Sequence, residues 1–309
     1  MKTPVIDVHL HASSISGWGR QWPFVESFAA TSGFYETVDA NGVMKPELVE
    51  ALLRRCGIDY ALLLPELSPL TTYYVENEWV FEFCKHSTRF LPCANINPHL
   101  EHDLGGLVRR YIAEHGLRAI KLAPTYQHFY PNDSRLYPLY AVAEECGLPV
   151  HIHTGTSIFR QAKIKYGYPL LLDDIAVDFP RLKLVAVHSG RRFWYDEAFF
   201  LGEQHENVYL EIAGLPPKKL PEYFPKFKTL THKFIFGSDW PAMPSLEGNI
   251  AQVRALPIPP EDQDAILGGT AARLLGIGTE TFTDQDERPR RQSHGESAVG
   301  GRSAGTTSS

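Results

Sequence analysis

Pro4-Val5-Ile6-Asp7-Val8-His9-Leu10-His11 is short, rich in β-branched residues, and ends on two histidines one residue apart. In a β-strand, residues two apart point to the same face, so the two imidazoles converge; in a helix the same spacing would turn them apart. The segment therefore reads as a strand that delivers His9 and His11 side by side at its C-terminal end. Asp7 is assigned to the opposite face, where it supports the pair or packs towards a helix.

Outward from this strand the pattern recurs. Apolar runs at 4–11, 58–65, 90–98, 118–124, 149–155, 183–190, 207–214 and 233–241 read as eight strands, with starts mostly about 25 to 35 residues apart, one βα unit each. The stretches between them carry helix signals. Pro46 suits a first helical turn, and Gly57, Gly116 and Gly147 follow helical segments just before the next strand. Strict alternation implies a parallel sheet. Eight units predict an α/β fold of the (β/α)8 TIM-barrel type, in which functional groups gather at the C-terminal strand ends. No GxGxxG follows the first strand, which weighs against an open dinucleotide-binding sheet. One domain is expected over residues 1–282. A Ser-, Gly- and Arg-rich tail, 283–309, reads as disordered.

Three more strand ends carry chemistry: His153 on the fifth, His188 on the sixth and Asp239 on the eighth. Imidazole nitrogen and carboxylate oxygen suit zinc and related divalent metals. Each residue alone has a structural explanation, but five at the same end of one barrel point to a metal site. His151 lies one layer deeper and reads as a hydrogen-bonded core residue. Lys121, near the end of strand four, needs a partner inside the barrel: an anionic substrate, an acidic neighbour, or carboxylation between two metals. Arg160, Arg191 and Arg192 follow strands five and six in position to clamp a carboxylate by paired hydrogen bonds, or to lie solvated at the surface; Arg191 and Arg192 are the expected substrate-binding pair. Residues 12–44 form a long, aromatic first loop from which Trp22 is expected to reach substrate.

The formal net charge of −6 and the absence of a dense basic run exclude an electrostatic nucleic-acid binder. The four cysteines lack paired spacing and read as reduced thiols. With no leader-like segment and no long apolar stretch, the expected location is cytoplasmic, away from membranes.

Taken in order, IDVHLH, AIKLAP, PVHIHTG, VAVHSG, FGSDWP and the closing AILGGTAARLLGI resemble the amidohydrolase superfamily over about residues 4–277. More narrowly they resemble its amidohydrolase-related branch, which includes aminocarboxymuconate semialdehyde decarboxylase. The resemblance implies one divalent ion, zinc first, with manganese, iron or cobalt as alternatives, held by His9, His11, His153 and Asp239. It implies that Asp239 also contacts the bound water and that His188 meets substrate and moves a proton; in binuclear relatives Lys121 and His188 join the metals. The implied activity is hydrolysis of a small ester, lactone or amide. The alternatives are non-oxidative decarboxylation of a small carboxylate, aromatic ones included, and a silent barrel that only binds. A homodimer is compatible with the resemblance.

Overall fold

The computed structural model describes residues 3–278. The expected tail lies outside them. Eight parallel strands follow one another in sequence order around a nearly closed barrel: β1 Ile6–His11, β2 Tyr60–Leu64, β3 Phe90–Asn95, β4 Ala119–Leu122, β5 Val150–His153, β6 Leu184–Val187, β7 Val208–Glu211 and β8 Phe234–Ile235. All eight coincide with the expected runs. The predicted helices form at Pro46–Arg55, Leu104–His115 and Tyr137–Glu145. Gly116 ends the second of these at φ 62°, a left-handed turn that a side chain would strain.

Strand β8 is short, and closure is completed by the irregular segment after it. Phe236 O accepts from Val8 N at 3.1 Å, Trp240 O from His11 N at 2.9 Å, and His9 O from Asp239 N at 3.0 Å. These bonds lay residues 236–240 against β1.

Strand β1 does not alternate evenly. Asp7 pairs with Ala61 but Leu10 with Leu63, so β1 holds one extra residue between those pairs. This bulge resets the side-chain phase. Ile6 and Val8 join the apolar barrel interior with Cys93, Val185 and the closing helix residues Ala271 and Leu275. Leu10 instead packs outward with Trp18, Val25 and Trp240. His9 and His11 thereby face inward. Asp7 is separated from the face of His9 and His11 by the bulge, since simple alternation would put all three together; it is fully buried, and its Oδ1 accepts from His9 N at 3.0 Å and Ser238 N at 2.9 Å.

The segment expected to be a loop, 12–44, is largely structured. A short turn Ser16–Gln21 leads into a helix Trp22–Ala29, followed by a turn Phe34–Glu36. Pro23 occupies the first helical turn, and Phe24 and Phe28 pack edge to face one turn apart with centroids at 5.3 Å, which is how the sequence supports helix there. Trp240 anchors the insertion: its ring is buried against Phe34 and its Nε1 donates to Ser32 O at 2.8 Å.

At the opposite end of the barrel, a Cβ on Gly268 would lie 1.8 Å from the carbonyl oxygen of Pro4. Gly268→Ala must therefore displace the start of β1, at an expected cost of about 1–3 kcal/mol. Urea unfolding should show a lower midpoint for Gly268→Ala and an unchanged one for Gly278→Ala, where nothing lies within 4 Å.

Candidate metal centre

Because β1 and the segment after β8 are bonded together, His9, His11 and Asp239 share one corner of the barrel mouth. His9 Nε2 and His11 Nε2 are 3.1 Å apart, and Asp239 Oδ1 is 3.5 Å from each. A cation about 2.1 Å from three ligands at tetrahedral to octahedral angles separates them by about 3.0–3.5 Å. The triangle fits a divalent metal.

The other ring nitrogens fix the orientation. His9 Nδ1 lies 2.5 Å from Glu211 Oε1, and His151 Nδ1 lies 3.0 Å from Glu211 Oε2. A carboxylate can only accept, so His9 carries its proton on Nδ1 and leaves the Nε2 lone pair facing the triangle. The Tyr73 hydroxyl lies 2.7 Å from His11 Nδ1 and holds that ring with Nε2 towards the triangle.

His153 and His188 are adjacent, with ring centroids 4.7 Å apart, and both line the same cavity as the triad. His153 lies outside the three-residue ligand cluster, yet its Nε2 is a buried nitrogen without a hydrogen-bond partner, an atom that a cation or substrate would satisfy. His188 Nδ1 donates to Ala213 O at 2.7 Å, so its Nε2 is the acceptor. His188, Ser189 and Asp239 all have positive φ, at 61°, 47° and 68°. Such backbone persists only where surrounding contacts hold it, and it concentrates at functional positions.

Burial, then the positive charge of Lys121, lowers the pKa of His9 to about 4. Burial likewise holds His153 and His188 well below the usual histidine range, aided by Lys121 and Arg191 at His153 and by Arg191 at His188. Burial opposes the charge on Asp239, but its hydrogen bond to His11 and interactions with His9 and His188 prevail and keep it well below the usual carboxylate range. Glu211 is held ionised against burial by His9 and His151. Neutral imidazoles beside an anionic carboxylate are the protonation states a metal requires.

The cavity is about 640 Å³. Lys121, Arg191 and Arg192 line it; Arg191 Nη1 lies 3.8 Å from Asp239 Oδ2, and Lys121 Nζ is buried without a partner. Trp22 does not line it. Its ring turns to Phe34 and Tyr35, because Gln21, Phe24, Val25 and Phe28 occupy the helix face towards the cavity, and Trp18 takes the aromatic position beside His11. Arg160 is exposed and absent from the lining.

Three residues escaped the sequence reading. Glu211 is the one acid in the apolar run of β7, at its C-terminal end, a signal of the kind that singled out Asp239. Glu66 follows β2 directly and was legible in the same way. Tyr73 carries no local signal.

An eight-stranded parallel barrel with a His-His-Asp cluster at its strand ends defines a TIM-barrel protein with a candidate metal site. The chain belongs to the amidohydrolase family, whose sequence profile matches residues 6–277. No curated protein matches it significantly. Among solved structures it is similar to an uncharacterized TIM-barrel protein from Bordetella bronchiseptica, 24% identical with a TM-score of 0.72 over 88% of this chain and 98% of that one. It is also similar to 5-carboxyvanillate decarboxylase from Novosphingobium aromaticivorans, complexed with manganese and 4-hydroxy-3-methoxy-5-nitrobenzoic acid, at 14% identity and a TM-score of 0.65 over 89% and 96% of the two chains. A third is 2,6-dihydroxybenzoate decarboxylase from Rhizobium, at 13% identity and a TM-score of 0.62 over 89% and 99%. Among the described residues no helix is long and apolar enough to cross a membrane.

Glu211→Gln should weaken metal retention by about 10–100-fold, read by competition with a chelator, because it loosens the orientation of His9 and His151. The metal-free protein should lose stability as pH falls. His9 titrates near 6.5 when unfolded and near 4 when folded, so the unfolded state takes up the proton first and gains on the native state across that window; His153 and His188 have the same sign. Asp7, raised to about 7 by burial, and Glu66, also raised by burial, work the other way but are two groups against three. Urea midpoints at pH 7.5 and 5.0 check the sign.

Proposed function

We propose that this protein is a metal-dependent decarboxylase of a small aromatic carboxylate. The observation that carries the reading is the composition of the cavity. Arg191 sits beside the candidate metal ligands, with Arg192 and Lys218 also in the lining, inside walls built from Trp18, Phe24, Phe28, Tyr126 and Phe159. Guanidinium beside the reaction centre suits an anionic substrate, and ring-lined walls suit a flat one. A neutral ester or amide needs neither. Two relatives of the same fold are decarboxylases of aromatic acids by name, which supports the choice.

His9, His11 and Asp239 would hold one divalent ion, with His153 completing the set; zinc suits these ligands, and manganese is named with one relative. When bound, the ion supplies Lewis-acid stabilisation of negative charge on the substrate oxygens. Arg191 holds the carboxylate. Release of carbon dioxide leaves the bonding pair on the ring carbon, which then takes one proton. Asp239, ionised at rest, receives that proton from a substrate hydroxyl or water and passes it to carbon. The neutral His188, whose Nδ1 is committed to Ala213 O, presents Nε2 to accept and return a proton. The aromatic insertion excludes water while this happens.

Hydrolysis of a small ester, lactone or amide is the second reading. It is favoured by the position of Asp239, which would equally serve as base for an attacking water, and by the description of the family.

Metal-loaded protein incubated with a panel of aromatic carboxylates should release carbon dioxide, and Asp239→Asn should lower that rate by at least about a thousandfold with folding intact. Release of no carbon dioxide, with turnover of esters or lactones instead, would replace the first reading by the second. Elemental analysis should find about one metal per chain.

A further inference from the structure

The cavity holds polar groups that decarboxylation does not use. Glu66 lies in its wall, buried, with its carboxylate accepting from the Ser68 hydroxyl. In the same cavity, Lys121 Nζ is a buried polar atom with no hydrogen-bond partner, and the buried Thr72 presents its hydroxyl beside Glu66. An uncompensated amine is costly inside a protein, and this one lies in the wall of the cavity that holds the candidate metal ligands.

Their position follows from the strand order. Glu66 and Thr72 come from the connection after β2, whereas Arg191 and Arg192 come from the connection after β6. In a barrel of eight strands those two are four apart and face each other across the mouth. Lys121, at the end of β4, is close enough to Glu66 for each to perturb the other's proton affinity. Glu66, an acceptor, thus lies across the cavity from Arg191 and Arg192, with the unpaired donor Lys121 in the lining between those two sides.

We propose that Glu66, Thr72 and Lys121 form a specificity subsite that reads a hydroxyl group on the side of the substrate remote from the carboxylate held by Arg191. The chemistry selects the group. A hydroxyl donates to Glu66 and accepts from Lys121 or Thr72 at once. A second carboxylate is repelled by Glu66, an ammonium is repelled by Lys121, and an apolar substituent leaves Lys121 unpaired. This rests on the carboxylate-binding reading above and deepens it to ring acids hydroxylated meta or para to the carboxylate, distinct from any hydroxyl adjacent to it. Glu66 is a specificity-determining residue here; it is not assigned a part in proton transfer.

Calorimetric titration of the full-length, metal-loaded protein tests it without requiring turnover. The probes are benzoate, 3-hydroxybenzoate, 4-hydroxybenzoate, terephthalate and 4-(aminomethyl)benzoate. One of the hydroxybenzoates should bind at least about tenfold more tightly than benzoate, and the dicarboxylate and the ammonium compound more weakly than benzoate. Glu66→Leu should abolish the hydroxyl advantage. Glu66→Gln, which keeps an acceptor but removes the charge, should retain part of that advantage and admit terephthalate. A merely structural role would lower every affinity together and leave the ratios unchanged. Equal binding of benzoate and the hydroxybenzoates by the wild type, or a preference that survives Glu66→Leu, would overturn the subsite and leave the carboxylate reading standing. Failure of every probe to bind the wild type would remove that reading and the subsite with it.

Discussion

The seam between the first and last strands is the constraint on which the centre depends. Strand β8 supplies only two residues of regular pairing, and the ring is completed by backbone hydrogen bonds between β1 and Phe236, Asp239 and Trp240. Those bonds do two tasks at once. They close the barrel, and they place the carboxylate of Asp239 within reach of two imidazoles that lie more than two hundred residues earlier in the chain. The one-residue bulge in β1 belongs to the same device. Without it, the alternation that sends Ile6 and Val8 into the apolar interior would send His9 and His11 to the helix side.

Beneath the seam, one acid organises the electrostatics. Glu211 is withdrawn from solvent and bonded to His9 and His151, so its charge is spent on holding protons at Nδ1. The nitrogens left facing the cavity are lone pairs. Lys121 and Arg191 add positive charge that keeps the imidazoles neutral and favours anions. A cavity of this kind is preorganised twice: for a cation on the triangle and for a negatively charged ligand beside it.

Much of this was legible in the sequence because parallel barrels translate position along the chain into position in space. The eight runs carry the strands, and the rule that function sits at their C-terminal ends was enough to single out His9, His11, His153, His188 and Asp239. The same rule applied to single acids at the ends of the second and seventh runs would have added Glu66 and Glu211; attention to histidines obscured them. What was not legible depends on tertiary packing. The bulge leaves no mark in the alternation of Ile, Val and Leu. The helix at Trp22–Ala29 is built within a stretch whose length and aromatic content suggested a loop. Trp22 and Trp18 are alike in composition, and only the way the insertion docks on Trp240 decides which of them faces the cavity.

Asp239 adopts a left-handed backbone conformation at φ 68°, a region that asparagine, aspartate and glycine enter with little penalty and branched or bulky residues resist. Two filters therefore act on this position, one chemical and one conformational, and their overlap leaves a very small alphabet. Asparagine or glycine here would keep the turn and give up the carboxylate, whereas a branched residue would give up both.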